Sequence, residues 1–162
     1  MKDHLLYMNL AITEAEVAYR EDEVPVGAVM VSKEGYLLGR SRNDKEKAHN
    51  PCGHAEINLI QSIAKKNKNW RLTDTTLYVT LEPCPMCLSA MVHARIGLLV
   101  FGTYDSKGVA LSFGYHFQSD KRLNHQFGII AGVKHFECSS LMSKFFREKR
   151  NQYKQMNQSD NS

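Results

Sequence analysis

Two short segments of the chain combine residues that bind transition metals with a nearby carboxylate. His54 precedes Glu56 by two positions, and Cys84 and Cys87 are three positions apart. Each segment stands where a helical pattern begins, so both sulfur atoms are expected on one side of a first helical turn. Backbone N–H groups at a helix start favour a thiolate over a thiol, and thiolates are good zinc ligands. Pro85 fits such a turn because its missing N–H would be unpaired there.

The predicted ligand set leaves one metal position for a water molecule. Three protein ligands, His54, Cys84 and Cys87, occupy three corners of a tetrahedral zinc site, as in catalytic zinc sites. The metal lowers the pKa of the bound water to about 7, and Glu56 is close enough to take its proton and pass it to a substrate nitrogen. The sequence therefore predicts a hydrolytic site with one zinc ion per subunit and Glu56 as the proton shuttle.

Each of these residues also has a simpler interpretation. A C-x-x-C pair occurs in redox proteins and in structural zinc sites, His54 alone could be a structural histidine, and Glu56 alone could be a solvated helix residue. Cys52 could act as a fourth ligand and close the site, which would make the protein a non-catalytic, zinc-stabilised binding module. Cys138 is expected to be buried in the last helix.

The composition indicates a single globular domain. Of the 162 residues, 43% are hydrophobic and 23% are charged, and this length predicts one domain. We expect the domain to span residues 1–151 and the polar residues 152–162 to form a disordered C-terminal tail. The net charge of +4 permits a polyanionic partner without requiring one. The sequence contains no run of eighteen apolar residues and no signal-like N-terminus, so we expect a cytoplasmic protein without a membrane partner.

Helical and strand patterns alternate along the chain. Helices are predicted at residues 3–21, 54–64, 86–94 and from 137 onward, and strands at 27–32, 36–40, 76–81, 98–102 and 128–133. A hairpin joins the first two strands, residues 41–53 form a loop, and residues 103–127 give no clear pattern. This alternation predicts a three-layer α/β sandwich with a partly parallel sheet.

The combined pattern is far more specific than its parts. H-x-E followed by P-C-x-x-C is typical of zinc-dependent nucleobase deaminases, and the chain resembles the bacterial tRNA-specific adenosine deaminases along nearly its whole length. The segments that carry this resemblance include EVPVGA at residues 23–28, LYVTLEPCPMC at residues 77–87 and AMVHARI at residues 90–96. The resemblance implies a three-layer α/β/α cytidine deaminase-like fold with a central mixed five-stranded sheet, a bound zinc ion and a homodimer.

The resemblance also implies an activity and a substrate. Members of the family hydrolyse adenosine to inosine at the first anticodon position, the wobble position, of a tRNA. A deaminase of a free nucleobase or nucleoside, such as cytosine or guanine, is the alternative within the same fold. The substrate-binding residues expected from the resemblance and from the neighbourhood of the metal ligands are Val26, Asn43, Ala55 and Pro83.

RNA contacts are expected from aromatic and basic residues. An enzyme that acts on an anticodon loop must take a splayed base into its pocket, and such side chains suit the route. Two adjacent phenylalanines on one helix cannot both face the same core, so one of Phe145 and Phe146 is available for RNA. The candidate RNA contacts are Asn124, His125, Phe145, Phe146, Arg147 and Arg150.

The sequence departs from the family pattern immediately before His54. The family commonly has D-P-T-A-H-A-E here, whereas this chain has N-P-C-G-H-A-E at residues 50–56. Cys52 and Gly53 lie beside the substrate pocket and outside the ligand set. They therefore bear on the choice of substrate and leave the metal chemistry unchanged.

Overall fold

The computed structural model describes residues 3–105 and 109–159, and these form alternating helices and strands. The elements are α1 (His4–Arg20), β1 (Gly27–Val31), β2 (Leu37–Arg42), α2 (Ala55–Lys66), β3 (Thr76–Leu81), α3 (Pro85–Ala94), β4 (Leu98–Thr103), β5 (Gly128–Ala131) and α4 (His135–Ser159). A short 3-10 helix, Phe117–Ser119, lies in the stretch that showed no clear sequence pattern. Within these residues, no helix is both long and apolar enough to cross a bilayer.

The five strands form one mixed sheet in the order β2-β1-β3-β4-β5. β1 pairs antiparallel with β2 and β3, whereas β4 pairs parallel with β3 and β5. One core cluster joins the sheet to α2 and α3, and a second joins it to α1 and α4. The predicted three-layer α/β/α fold with a mixed five-stranded sheet is confirmed.

The central strands are buried on both faces because helices cover both sides of the sheet. In β3, Leu77 and Val79 enter the α2/α3 cluster, while Tyr78 between them enters the α1/α4 cluster. In β4, Phe101 enters the α2/α3 cluster and Val100 enters the α1/α4 cluster. This period of two is what a strand requires, and it explains why the apolar runs at 76–81 and 98–102 predict strands.

The strand directions bring several loops to one edge of the sheet, the edge formed by the carboxyl ends of β3 and β4. β3 and β4 are parallel, so both end at this edge, and the turn after β3 carries Cys84. β1 is antiparallel to β3, with Ala28 opposite Val79, so the start of β1 and Val26 before it lie at the same edge. Gly27 pairs with Arg42 at the end of β2, which places Asn43 there too.

Two element boundaries differ from the sequence expectation. β2 continues to Arg42 because residues 41 and 42 pair with the start of β1, although their polar side chains suggest a loop. α4 continues to Ser159, so residues 152–159 are helical where a disordered tail is expected. This stretch contains no glycine or proline that would end the helix. Residues 160–162 of the expected tail lie outside the described residues, and the domain boundary at residue 151 stays a prediction.

Candidate metal centre and active site

Three side chains from two helix starts meet at one point. His54 is the N-cap residue of α2, and Cys84 is the N-cap residue of α3. His54 Nδ1 lies 3.6 Å from Cys84 Sγ and 3.5 Å from Cys87 Sγ. Within residues 3–105 and 109–159, these three residues form the group of potential metal ligands whose donor atoms lie within 4.8 Å of one another.

The spacing of the three donor atoms fits a tetrahedral zinc ion. Zn–S bonds of about 2.3 Å and Zn–N bonds of about 2.0 Å, held at a tetrahedral angle, separate nitrogen from sulfur by about 3.5 Å. The two observed N–S distances, 3.5 and 3.6 Å, agree with this value. One nitrogen and two sulfur donors are also a ligand type that zinc prefers. The residues therefore fit a zinc ion with three protein ligands.

The two thiols of the cluster differ in acidity. The hydrogen bond from the Cys87 thiol and, after it, the contact with His54 lower the pKa of Cys84 to about 4, although burial opposes the shift. The pKa of Cys87 is raised, first by its hydrogen bond to Cys84 and then by burial. The pair therefore shares one proton in the metal-free state, and the thiolate resides on Cys84. A thiolate is the form that binds metal, so one ligand is ready and the second must release its proton on binding.

Glu56 lies in the first turn of α2 and is 3% exposed. Burial raises the pKa of its carboxyl group to about 7, although hydrogen bonds to its own backbone N–H and to Cys87 oppose the shift. A pKa near neutrality suits a group that must both accept and donate a proton. The bond to Cys87 places the carboxyl group beside the ligand cluster.

Asn43 connects the end of β2 to the start of α2. Its side-chain Oδ1 accepts a hydrogen bond of 2.9 Å from the backbone N–H of Ala55, and its own backbone N–H donates to the carbonyl of Val26. Asn43, Val26, Ala55 and Pro83 are all buried. The predicted substrate-binding residues Asn43, Val26 and Ala55 are thus joined by hydrogen bonds, and Pro83 adjoins Cys84. Their contact with a substrate stays a prediction.

Cys52 is not part of the ligand cluster. It is exposed, and its backbone N–H donates to the Asn50 side chain. Gly53 has a clear steric role, since a Cβ atom there would lie 2.6 Å from Asp44 Oδ1. That oxygen accepts a hydrogen bond from the side chain of Asn58 in α2. The departure from the family pattern at Gly53 therefore accommodates Asp44.

The candidate RNA contacts on α4 point in different directions. Phe145 is 6% exposed and packs on Tyr19 of α1. Phe146 lines a cavity of about 420 Å³ together with Arg150, and Arg147 is exposed. Phe146 is therefore the phenylalanine of the pair that reaches the cavity at the sheet edge of the metal centre.

Asn124 and His125 lie away from the α4 candidates. Both line a cavity of about 380 Å³ with Trp70 and Arg95. Arg95 follows α3, a helix of 10 residues that starts at the metal ligands and spans about 15 Å. His125 Nε2 contacts the backbone carbonyl of Ile96 at 2.6 Å, and Arg95 donates to the carbonyl of Asn124. The structure thus divides the candidate RNA contacts between two regions, and RNA binding by them stays a prediction.

Sequence reasoning did not single out Glu82, which lies between β3 and the metal-bearing turn. Its carboxylate is 2% exposed and accepts hydrogen bonds from Asp105 and Ser112. The signal that the sequence offers for a buried role of Glu82 is a charged residue that directly follows an apolar strand and precedes a proline. The partners lie more than twenty residues away, so local spacing does not reveal them.

Comparisons with known proteins identify relatives of this chain over most of its length. A family model for MafB19-like deaminases matches residues 2–150. The tRNA-specific adenosine deaminase of Bacillus subtilis is 42% identical over 92% of this chain and 92% of its own length. The Haemophilus influenzae enzyme of the same name is 41% identical over 91% of this chain and 85% of its own.

Solved structures show the same fold. A structure from a study of A-to-I editing by tRNA:A34 deaminases superimposes with a TM-score of 0.79 and 38% identity, covering 84% of this chain and 98% of that chain. Guanine deaminase from Nitrosomonas europaea superimposes with a TM-score of 0.76 at 15% identity, over 90% of this chain and 85% of its own. The second likeness concerns the fold alone.

The fold and the histidine–cysteine–cysteine cluster with its buried glutamate are those of a deaminase. Sequence identity above 40% with two relatives over nine-tenths of the chain identifies the family more specifically than the fold does. The chain belongs to the family of the tRNA-specific adenosine deaminases.

Replacing either cysteine ligand should abolish metal binding. We expect wild type to bind zinc, and Cys84→Ala and Cys87→Ala to bind none and to unfold at a lower temperature, because a bound metal stabilises the folded state. Elemental analysis and thermal unfolding measure both effects. Cys52→Ala is the matched control and should keep its zinc; loss of metal from this variant would contradict the three-ligand site.

The buried Glu56 carboxyl group should make the stability of the metal-free protein depend on pH. Its folded-state pKa of about 7 lies above the value of an exposed glutamate, so the stability associated with the protonated group is lost as pH rises from about 4.5 to about 7. We therefore expect metal-free wild type to lose stability relative to metal-free Glu56→Gln across this range. Urea unfolding at several pH values tests this, and a pH-independent difference would refute it.

Proposed function

We propose that the protein hydrolyses adenosine to inosine at the wobble position of tRNA, with release of ammonia. The observation that carries the proposal is the cluster of His54, Cys84 and Cys87 with the buried carboxyl group of Glu56 beside it. Relatives that share more than 40% of the sequence over nine-tenths of the chain bear the name tRNA-specific adenosine deaminase.

The chain's own residues divide the work of this reaction. His54, Cys84 and Cys87 would hold a zinc ion, which would lower the pKa of a bound water molecule enough for it to attack at neutral pH. Glu56 would accept a proton from the attacking water and deliver it to N1 of adenine. It would then take the proton of the new hydroxyl group on C6 and transfer it to the amino group, which departs as ammonia. Its raised pKa, about 7, suits both transfers. The surrounding protein keeps bulk water away from this carboxyl group.

Asn43 has two tasks at the edge of the site. Its Oδ1 holds the first N–H of α2, which fixes the helix start that carries His54 and Glu56. The amide NH₂ group of the same side chain is the remaining donor, and we assign it to the adenine ring. The buried Val26 and Pro83 supply apolar contact to the base.

Two further parts of the proposal concern assembly and location. We propose a homodimer, in keeping with the exposed apolar side chains of Trp70 and Leu123, which line the cavity at the far end of α3. Because tRNA is the substrate, we propose that the protein acts in the cytoplasm.

Incubation with a tRNA that carries adenosine at the wobble position tests the activity. We expect wild type to convert this adenosine to inosine, and Glu56→Gln to be slower by about a thousandfold because the proton shuttle is lost. Sequencing of the product RNA gives the extent of conversion. Turnover of free cytosine or guanine without inosine in the tRNA would favour the alternative, a deaminase of free bases.

Arg150 and Lys149 are adjacent on α4 but should contribute differently to RNA binding. Arg150 is exposed at the cavity that Phe146 lines, whereas Lys149 is paired with Asp22 and lies over the Phe145 ring. We expect Arg150→Ala to weaken RNA binding and to reduce the slope of log K against log salt by about 1. The matched variant Lys149→Ala should leave the slope unchanged. Equal slopes for both variants would contradict a phosphate contact by Arg150.

A further inference from the structure

The segment that follows β4 begins with Tyr104 and Asp105 and ends at Ser112, and its first two residues contribute to a cavity wall. Tyr104 and Asp105 line the cavity of about 420 Å³ that also includes Leu81 at the end of β3. Leu81 lies three residues before Cys84, so the cavity and the metal centre occupy the same edge of the sheet. The positions of Tyr104 and Asp105 therefore determine part of the cavity wall at this edge of the sheet.

One buried side chain, Glu82, ties both ends of this segment to the sheet. Its backbone N–H donates to the carbonyl of Thr103 at 2.8 Å, which holds its main chain beside β4. Its carboxylate accepts hydrogen bonds from the backbone N–H of Asp105 at 3.3 Å and from the backbone N–H of Ser112 at 2.7 Å. The Ser112 hydroxyl donates a third bond of 2.6 Å. Asp105 and Ser112 are thereby held by the residue that directly precedes Pro83.

A carboxylate fits this arrangement better than any neutral side chain. Both of its oxygen atoms are acceptors, and each faces at least one donor. A glutamine of similar volume would turn an NH₂ group toward one of these donors. A buried donor that loses its acceptor is destabilising unless the backbone moves to reach water. Glu82→Gln should therefore release one end of the segment without leaving a cavity in the core.

We propose that Glu82 is a positioning residue, which holds Asp105 and Ser112 and so fixes the cavity wall against which the RNA substrate binds. The inference rests on the proposed function, because that function supplies the RNA. Glu82 acts through Tyr104 and Asp105 rather than through the reacting atoms. The proton shuttle Glu56 belongs to α2, a separate element. Loss of the hydrogen bonds to Glu82 should therefore change substrate affinity more than the rate of the chemical step.

Steady-state kinetics of Glu82→Gln on an anticodon stem-loop RNA with a wobble adenosine tests the proposal. We expect KM to rise about tenfold while kcat changes less than about threefold, with zinc content as in wild type. Hydrogen exchange without RNA should show faster exchange of at least one of the Asp105 and Ser112 amides. A loss of kcat at unchanged KM, or unchanged exchange at both amides, would overturn the proposal.

Two further variants separate positioning from general stability. Ser112→Ala keeps the backbone bond and loses only the hydroxyl bond, so its KM should lie between those of wild type and Glu82→Gln. Tyr78→Phe removes a hydrogen bond to His4 within the α1/α4 core and should lower the unfolding temperature without raising KM. If KM rose by a comparable factor in Tyr78→Phe, the effect of Glu82→Gln would be explained by lost stability, which would contradict a positioning role.

If wild type leaves the RNA unmodified, the proposed function fails, and amide exchange alone decides the role of Glu82.

Discussion

The convergence of two helix starts on one point is the constraint on which the site depends. His54 and Cys84 are both N-cap residues, and neither uses its side chain to cap its own helix. Both side chains are therefore free to turn toward the metal position. The positive ends of two helix dipoles meet there, which stabilises the thiolate of Cys84. The packing of α2 and α3 on the same face of the sheet keeps these helix starts together.

Bringing so many loops to one sheet edge leaves backbone donors that strands and helices do not satisfy. Buried side-chain oxygens accept the hydrogen bonds of these backbone donors. Asn43 accepts from Ala55, and Glu23, which is 1% exposed, accepts from the backbone of Lys47 at 2.7 Å. Glu82 serves the segment after β4 in the same way. The polar residues buried near the metal centre are thus largely acceptors that hold the loops around it.

Local patterns predict much of this molecule, and long-range contacts supply the rest. The ligand set follows from the short spacing of Cys84 and Cys87 and from the resemblance around His54, and strand β3 follows from an apolar run bounded by a proline. Glu82 could not be recognised in this way, because its partners are 23 and 30 residues distant. The length of α4 was missed because polar composition suggests a tail even where no residue breaks the helix.

Helix α4 links the stability of the core to the shape of the cavity. Successive residues on a helix point about 100° apart, so Phe145 packs on α1 while Phe146 reaches the cavity. The distance between α4 and the sheet is set at Gly102, where a Cβ atom would lie 2.4 Å from Cys138 Sγ. Any larger residue at this position would push α4 away from β4 and move the cavity wall with it. The absence of a side chain at Gly102 thus determines how closely the proposed RNA-binding helix packs on β4.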